Sequence, residues 1–151
     1  MAKKFFNSIR KQIALINKLD VDKQLTKIMN NGQMQSDIID LNTNAQLYEK
    51  GIRADGTSLG EYTKNTIAIK EGKGQETGHV TLRDTGDFYA SFKVKDTGEE
   101  VIITADTQKP DVDLADKYGE NILGLTPESL AIVRAQVKLF LLADIRLQLS
   151  K

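Results

Sequence analysis

Apolar residues recur every three or four positions through the first thirty residues, at Phe5, Phe6, Ile9, Ile13, Ile16 and Leu19. Leu25, Ile28 and Met29 continue a similar face, with lysines between. That period predicts an amphipathic helix over 4–30, or two helices joined near Asp20-Val21-Asp22. Asn30-Asn31-Gly32 is expected to close it, because Asn and Gly tolerate the left-handed backbone of a helix end. A weaker helical pattern through Ile38, Ile39, Leu41, Ala45, Leu47 and Tyr48 runs on to Gly51. Residues 51–60 are turn chemistry throughout. Residues 61–70 fit a short strand or a short helix equally, and the glycine-rich stretch 71–78 is expected to be a flexible loop.

The pattern changes in the second half. Phe92 and Val94 alternate with Lys93 and Lys95, which predicts a strand with one buried and one wet face. Asp96-Thr97-Gly98-Glu99 supplies a hairpin turn, with Gly98 free to take positive φ. Val101-Ile102-Ile103-Thr104-Ala105 returns; its β-branched content without strict alternation predicts burial on both faces. Further strands and helices are expected near 79–83 (strand), 87–91 (helix) and 112–118 (helix, stopped by Gly119). The last helix is the clearest element. Thr126 is an N-cap, Pro127 sits at the first helical position, and Glu128 favours the positive end of the dipole. Leu130, Val133, Val137, Phe140, Leu141, Ile145 and Leu149 form its stripe, and Leu139 and Leu142 widen it beyond what a solvated surface helix needs. Burial on two sides is expected, one of them against a neighbouring subunit. The fold class predicted is α+β: a small antiparallel β-sheet (strands near 79–83, 92–96 and 100–105) packed against a long C-terminal helix. It forms one domain, with a helical arm over 1–50 and the α+β core over 51–151.

At 151 residues the chain can bury a core of its own. Its 40% apolar content and mean hydropathy of −0.36 are those of a soluble globular chain. Twenty-one basic residues balance 21 acidic ones, so no net field selects nucleic acid or membrane as partner. The distribution is uneven: residues 1–30 carry seven Lys/Arg against two Asp, and residues 79–106 carry three basic against six acidic residues. Such asymmetry suits head-to-tail contact between copies. With no cysteine and one histidine, thiol chemistry is excluded and a zinc site is not expected. No apolar run approaches the ~18 residues of a bilayer span. The opening Met-Ala-Lys-Lys-Phe-Phe lacks the apolar centre of a secretory signal, so a cytoplasmic product is expected.

Several groups suggest chemistry. Asp84-Thr85-Gly86 is the triplet that carries the catalytic carboxylate of aspartic proteases. Asp96-Thr97-Gly98 repeats it, and Ile122-Leu123-Gly124 mimics the supporting apolar-apolar-Gly element. That chemistry needs two carboxylates sharing one proton. Two copies twelve residues apart cannot belong to two lobes, and Arg83 and Asp87 put charge where the site needs none. The competing assignment makes Asp84 or Thr85 the cap of the helix 87–91 and Gly98 a hairpin residue. Gly72-Lys73-Gly74 with Gly78 lacks the Gly-Lys-(Ser/Thr), strand and helix of a phosphate loop and is expected to be a linker. Asp111, Asp113 and Asp116 open like a calcium loop, but Asp116 and Ile122 stand where its Gly and Glu belong. Capping and acidifying the helix 112–118 is their expected role. His79 has no partner fixed by sequence and is expected at the surface. Lys3, Lys4, Arg10, Lys11, Lys18 and Lys27 could touch DNA phosphates without sequence preference, or simply form a solvated helix face. No catalytic, cofactor-binding or metal-binding residue is assigned.

Three stretches carry a resemblance. Ala54-Asp55-Gly56-Thr57-Ser58-Leu59-Gly60-Glu61-Tyr62 is like an Asp-Gly-x-x-(W/L)-x-x-(L/Y) motif. Leu82-Arg83-Asp84-Thr85-Gly86-Asp87-Phe88-Tyr89-Ala90-Ser91-Phe92 is like L-x-x-T-G-x-L-x-x-S-(I/F). Tyr118-Gly119 with Leu123-Gly124-Leu125-Thr126 is like (F/Y)-G followed by F-L-G-L-S, without the Arg-Pro run that usually lies between. In this order they resemble the tail-completion or virion-morphogenesis proteins (head–tail joining, neck) of tailed bacteriophages, over roughly Gln46 to Leu149. The resemblance implies a non-enzymatic virion protein made in the bacterial host cytoplasm. It would form a ring of six or twelve copies at the portal–tail junction, with portal or adaptor and tail proteins as partners, no cofactor and no membrane. The alternatives are a DNA-associated accessory protein using the basic N-terminal helix and, last, a dimeric aspartic protease using Asp84.

Overall fold

The computed structural model describes the backbone of residues 2–151 and the side chains from Ile9 onward. The first apolar stretch folds as two helices, α1 (Ala2–Asn17) and α2 (Val21–Met29). Asp20 separates them because its carboxylate accepts the Lys23 N–H and starts α2 afresh. Asn30 closes α2, while Asn31 opens α3 (Gly32–Asp40) by accepting from Gln33 and Met34. The Asn-Asn-Gly stop is therefore also a start. α3 runs directly into a π-helix, Leu41–Lys50, which Gly51 ends at φ +60°.

The ambiguous 61–70 stretch is helical: α4 spans Lys64–Gly72, and the Thr63 hydroxyl caps the Thr66 N–H. Its far end is a Schellman arrangement, with Gln75 N–H on the Lys70 carbonyl, Gly74 N–H on that of Glu71, and Gly74 at φ +65°. Residues 71–72 thus belong to α4 and 73–75 are tied to the body, where the glycines predict a flexible loop. The Gln75 amide donates to the Asp84 carbonyl, and Lys73 pairs with the Asp84 carboxylate at 2.9 Å.

Residues 79–83 do not form the expected strand. Leu82 sits at φ +56°, a left-handed conformation that breaks an extended run. Side-chain hydroxyls replace the neighbouring strand: Tyr62 accepts the Thr81 N–H at 2.9 Å, and Tyr89 donates to the Thr81 carbonyl. After α5 (Asp87–Ala90), β1 (Lys93–Asp96) pairs antiparallel with β2 (Val101–Thr104), Lys93 opposite Thr104 and Asp96 opposite Val101. Gly98 takes φ +85° in the turn, and the Asp96 carboxylate accepts its N–H. A two-stranded ribbon has two wet edges and one covered face. Val101 is therefore exposed and Ile102 only half-buried, against the expected two-sided burial. A second small ribbon, β3 (Gln108–Lys109) with β4 (Val112–Asp113), leads into α6 (Leu114–Tyr118) and a 3₁₀ turn over Glu120–Ile122. α7 (Pro127–Leu149) ends the chain, capped by Thr126. The architecture is α+β.

Two apolar clusters form the core. Leu47, Leu59, Val80, Phe88, Phe92, Leu114 and Ile122 make the larger, with Phe88 and Phe92 edge to face at 5.0 Å. Ile28, Met34, Ile38 and Val133 make the other, where α7 meets α2 and α3. Val94 and Ile103 of the hairpin pack against this second cluster, and Ile103 touches both. Segment 32–50, which the sequence groups with the arm, thus supplies residues to both clusters.

Candidate functional site

The three motif stretches meet in space. Arg53, preceding the first, donates to the carbonyls of Ser58 and Tyr118, and the Ala54 N–H bonds the Asn121 carbonyl at 2.8 Å. A Cβ on Gly124, at φ +141°, would lie 3.1 Å from that of Ala54, so the Leu-Gly-Leu-Thr segment needs its glycine to pass there. The segment also needs hydrogen bonds, because no strand lies beside it. Two buried amides of the π-helix provide them. Asn42 donates to the Ile122 carbonyl at 3.0 Å and accepts the Gly124 N–H at 2.8 Å. Gln46 donates to the Gly124 carbonyl at 2.9 Å and accepts the Thr126 N–H at 2.8 Å. Spaced four apart, the pair does for residues 122–126 what an adjacent strand would do. Sequence reading missed both; the available signal was two amides within the apolar pattern 38–48.

Tyr62 from the first motif, Leu82–Phe88 from the second and Tyr118 from the third line one open cavity of about 470 Å³. Its wall is apolar (Val80, Leu82, Phe88, Leu114), and its mouth carries Arg83, Lys109 and Lys117 together with Asp84 and Asp87. Lys70 lies buried beneath it, without a carboxylate partner among the described residues. Its ammonium donates to the Arg83 carbonyl at 2.8 Å and to Gln75 at 3.1 Å, and sits 4.9 Å from the centre of the Tyr62 ring.

Within this frame the candidate catalytic groups take other parts. Asp84 is exposed and does not cap α5. Hydrogen bonds from Lys73 and then Gln75 hold its carboxyl below the ordinary aspartate value of 3.8. Thr85 accepts the Asp87 N–H at 3.3 Å, while Gly86, at φ +93°, is the capping residue itself. Asp96 serves its own turn and makes no bond to Asp84. His79 is half-buried rather than at the surface, with Nε2 2.7 Å from the Tyr48 carbonyl and the ring against Gly51. Gly72-Lys73-Gly74 is the end of α4. Asp113 caps α6 through the Ala115 N–H at 2.8 Å, Asp116 lies in that helix's first turn, and Asp111 is exposed. Among the described residues no group of three or more His, Asp or Glu side chains could hold a metal, and no helix is long and apolar enough to cross a membrane.

The most unusual surface belongs to α7. Val133 is buried and Val137 and Leu141 are half-buried against the body. Leu130 and Phe140, two residues of the expected apolar stripe, are exposed in the single chain. Phe140 is 50% accessible, Ile132 44%, Leu139 69%, Leu142 38% and Leu147 61%. Apolar side chains ring the whole helix, yet the body covers only one side. The basic residues Arg10, Lys11, Lys18 and Lys27 are exposed on α1 and α2, while Lys3 and Lys4 lie outside the described side chains. No protein-family model, no curated protein and no solved structure matches this chain.

Proposed function

We propose that this chain is a non-enzymatic assembly protein of a tailed bacteriophage, forming a closed ring of six or twelve copies at the portal–tail junction. The observation that carries the reading is the bare outer half of α7: a 23-residue helix with large apolar side chains on every side and a body that covers one. Such a surface marks a place of contact with another protein. The three motif stretches, which share one cavity, give the assembly class its name through their resemblance to tail-completion proteins. The charge asymmetry suits the contact type. A ring needs one face of each copy to meet a different face of the next. The exposed lysines and arginines of α1 and α2 lie on other elements than the acidic hairpin with Asp96, Glu99 and Glu100.

The decisive experiment is deletion of the gene from its phage. Heads and tails that accumulate separately in micrographs are expected, and restoration of the gene should join them. Fully joined, infectious particles from the deletion would end the proposal. A second reading, in which the exposed basic residues of α1 and α2 hold nucleic acid, is tested by retention on DNA at low salt that falls steeply as salt rises.

A further inference from the structure

The side of α7 that faces the body carries buried Ser129 and Val133 with half-buried Val137, Leu141 and Asp144. On the opposite side lie Glu128, Ile132, Ala135, Leu139, Leu142 and Arg146, all exposed. Their spacing alternates between four and three, the rhythm of a helix–helix seam. Four apolar positions are bracketed by an acid near the start of the helix and a base near its end. We propose that this seam pairs with the same seam of a second copy of the chain, antiparallel about a two-fold axis at position 137.

Under that axis Glu128 faces Arg146, Ile132 faces Leu142, and Ala135 faces Leu139, each contact occurring twice. The charges match, and the small side chain of Ala135 lies opposite the long one of Leu139, which lets the two helices approach. Beside the seam the axis brings exposed Lys138 alongside its own counterpart on one flank, the one like-charged approach of the pair, and Gln136 alongside its counterpart on the other. Other arrangements lose these matches. A parallel pair sets Glu128 against Glu128 and Arg146 against Arg146. Sliding the antiparallel pair by one heptad either leaves Glu128 without a base or sets Arg146 against Ala135. Glu128 also bonds Lys50 through Oε2 at 3.0 Å, but its side chain is 74% accessible and free to meet a partner. The seam is about 27 Å long at 1.5 Å per residue. One such helix pair buries less than the ~1,200 Å² of a stable standard interface, so the pair is weak and reversible. It concerns the free protein and stands whether or not the chain enters a virion. An isologous pair of this kind would cover the seam until a heterologous partner replaces it.

The test uses the full chain in sedimentation experiments up to about 1 mM, a concentration at which even a weak pair is populated. Wild type should show concentration-dependent dimers. Glu128→Arg and Arg146→Glu should each weaken them roughly tenfold or more, since each sets two like-charged contacts in the pair. Mixing the two variants should give heterodimers tighter than either homodimer, because every end contact is again opposite in charge. The double variant should dimerise like wild type. The chain has no cysteine, so an introduced one has no background. A mixture of Ala135→Cys and Leu139→Cys should form an intermolecular disulfide faster than either variant alone. Circular dichroism of every variant should match wild type, since all these positions are exposed. Monomers at every concentration, a charge-swapped mixture no tighter than its parts, or preferential homodimer disulfides would each overturn the proposal.

Discussion

An amide side chain offers one donor and one acceptor group, and the backbone around Gly124 needs both kinds. Asn42→Ala would leave the Ile122 carbonyl and the Gly124 N–H without partners in a site closed to water. A loss of about 2–4 kcal/mol is expected in urea unfolding, larger than for an average buried hydrogen bond because two backbone groups are orphaned together. Gln46→Ala should behave alike through the Gly124 carbonyl and the Thr126 N–H. Gly51→Ala tests a different constraint. At φ +60° a Cβ would come within 2.4 Å of His79 Cδ2, so a loss of about 2 kcal/mol or more is expected.

Protonation at single residues sets the pH range of the fold. Asp84 has a lowered folded pKa through Lys73 and Gln75, as does Asp55 through the Thr57 hydroxyl and backbone N–H. Their contribution is present above the ordinary value of 3.8 and is lost as pH falls through the lower folded values. Both are exposed, so the effect is small, and Asp84→Asn should flatten the acid limb of a stability–pH curve slightly. Burial pushes the Tyr89 phenol above its ordinary 10.0. Its contribution is full below that pH and declines as pH rises past it, because the unfolded chain ionises first. Tyr89→Phe should remove this alkaline slope and cost about 1 kcal/mol at neutral pH, through the bond to the Thr81 carbonyl.

At the scale of elements, α7 shows that apolar content and burial are different properties. Val133→Ala should cost about 2 kcal/mol, as a buried truncation does. Leu139→Ala, two-thirds of a helical turn round from Val133 on the exposed side, should stay within about 0.5 kcal/mol in dilute monomer. Thermal unfolding of the two variants side by side separates fold from contact surface. Residues 79–83 teach the complementary point. Their alternation suits a strand, but pairing requires a neighbouring edge, and the hydroxyls of Tyr62 and Tyr89 occupy the groups a strand would have used. The four residues of α5 begin at a glycine, not at a carboxylate, for a related reason: Asp84 is engaged by α4's end.

For the whole molecule, two clusters that share Ile103 predict a single cooperative unfolding transition. Removal of residues 1–18 should preserve it, because α1 touches α7 but, among the described residues, adds no side chain to either buried cluster. Differential scanning calorimetry of the truncated chain checks this; two transitions or loss of the transition would show that α1 is integral.

Local rules were enough where an element depends on neighbours in sequence. Thr126-Pro127 opens α7, Gly98 turns the hairpin, and Asp20 divides the first helices, because caps and turns are made by residues a few positions apart. The α+β class followed from periodicity. Other features depend on contacts that no periodicity records, some of them between residues about eighty positions apart. Only the folded chain reveals that Asn42 and Gln46 stand in for a strand, that Lys70 is buried under Tyr62, and that the motif stretches share one cavity. The same holds for α7. Its sequence fixes how apolar it is, whereas the packing of α2 and α3 fixes which side is covered, since burial is a property of what arrives on a face and not of the face alone.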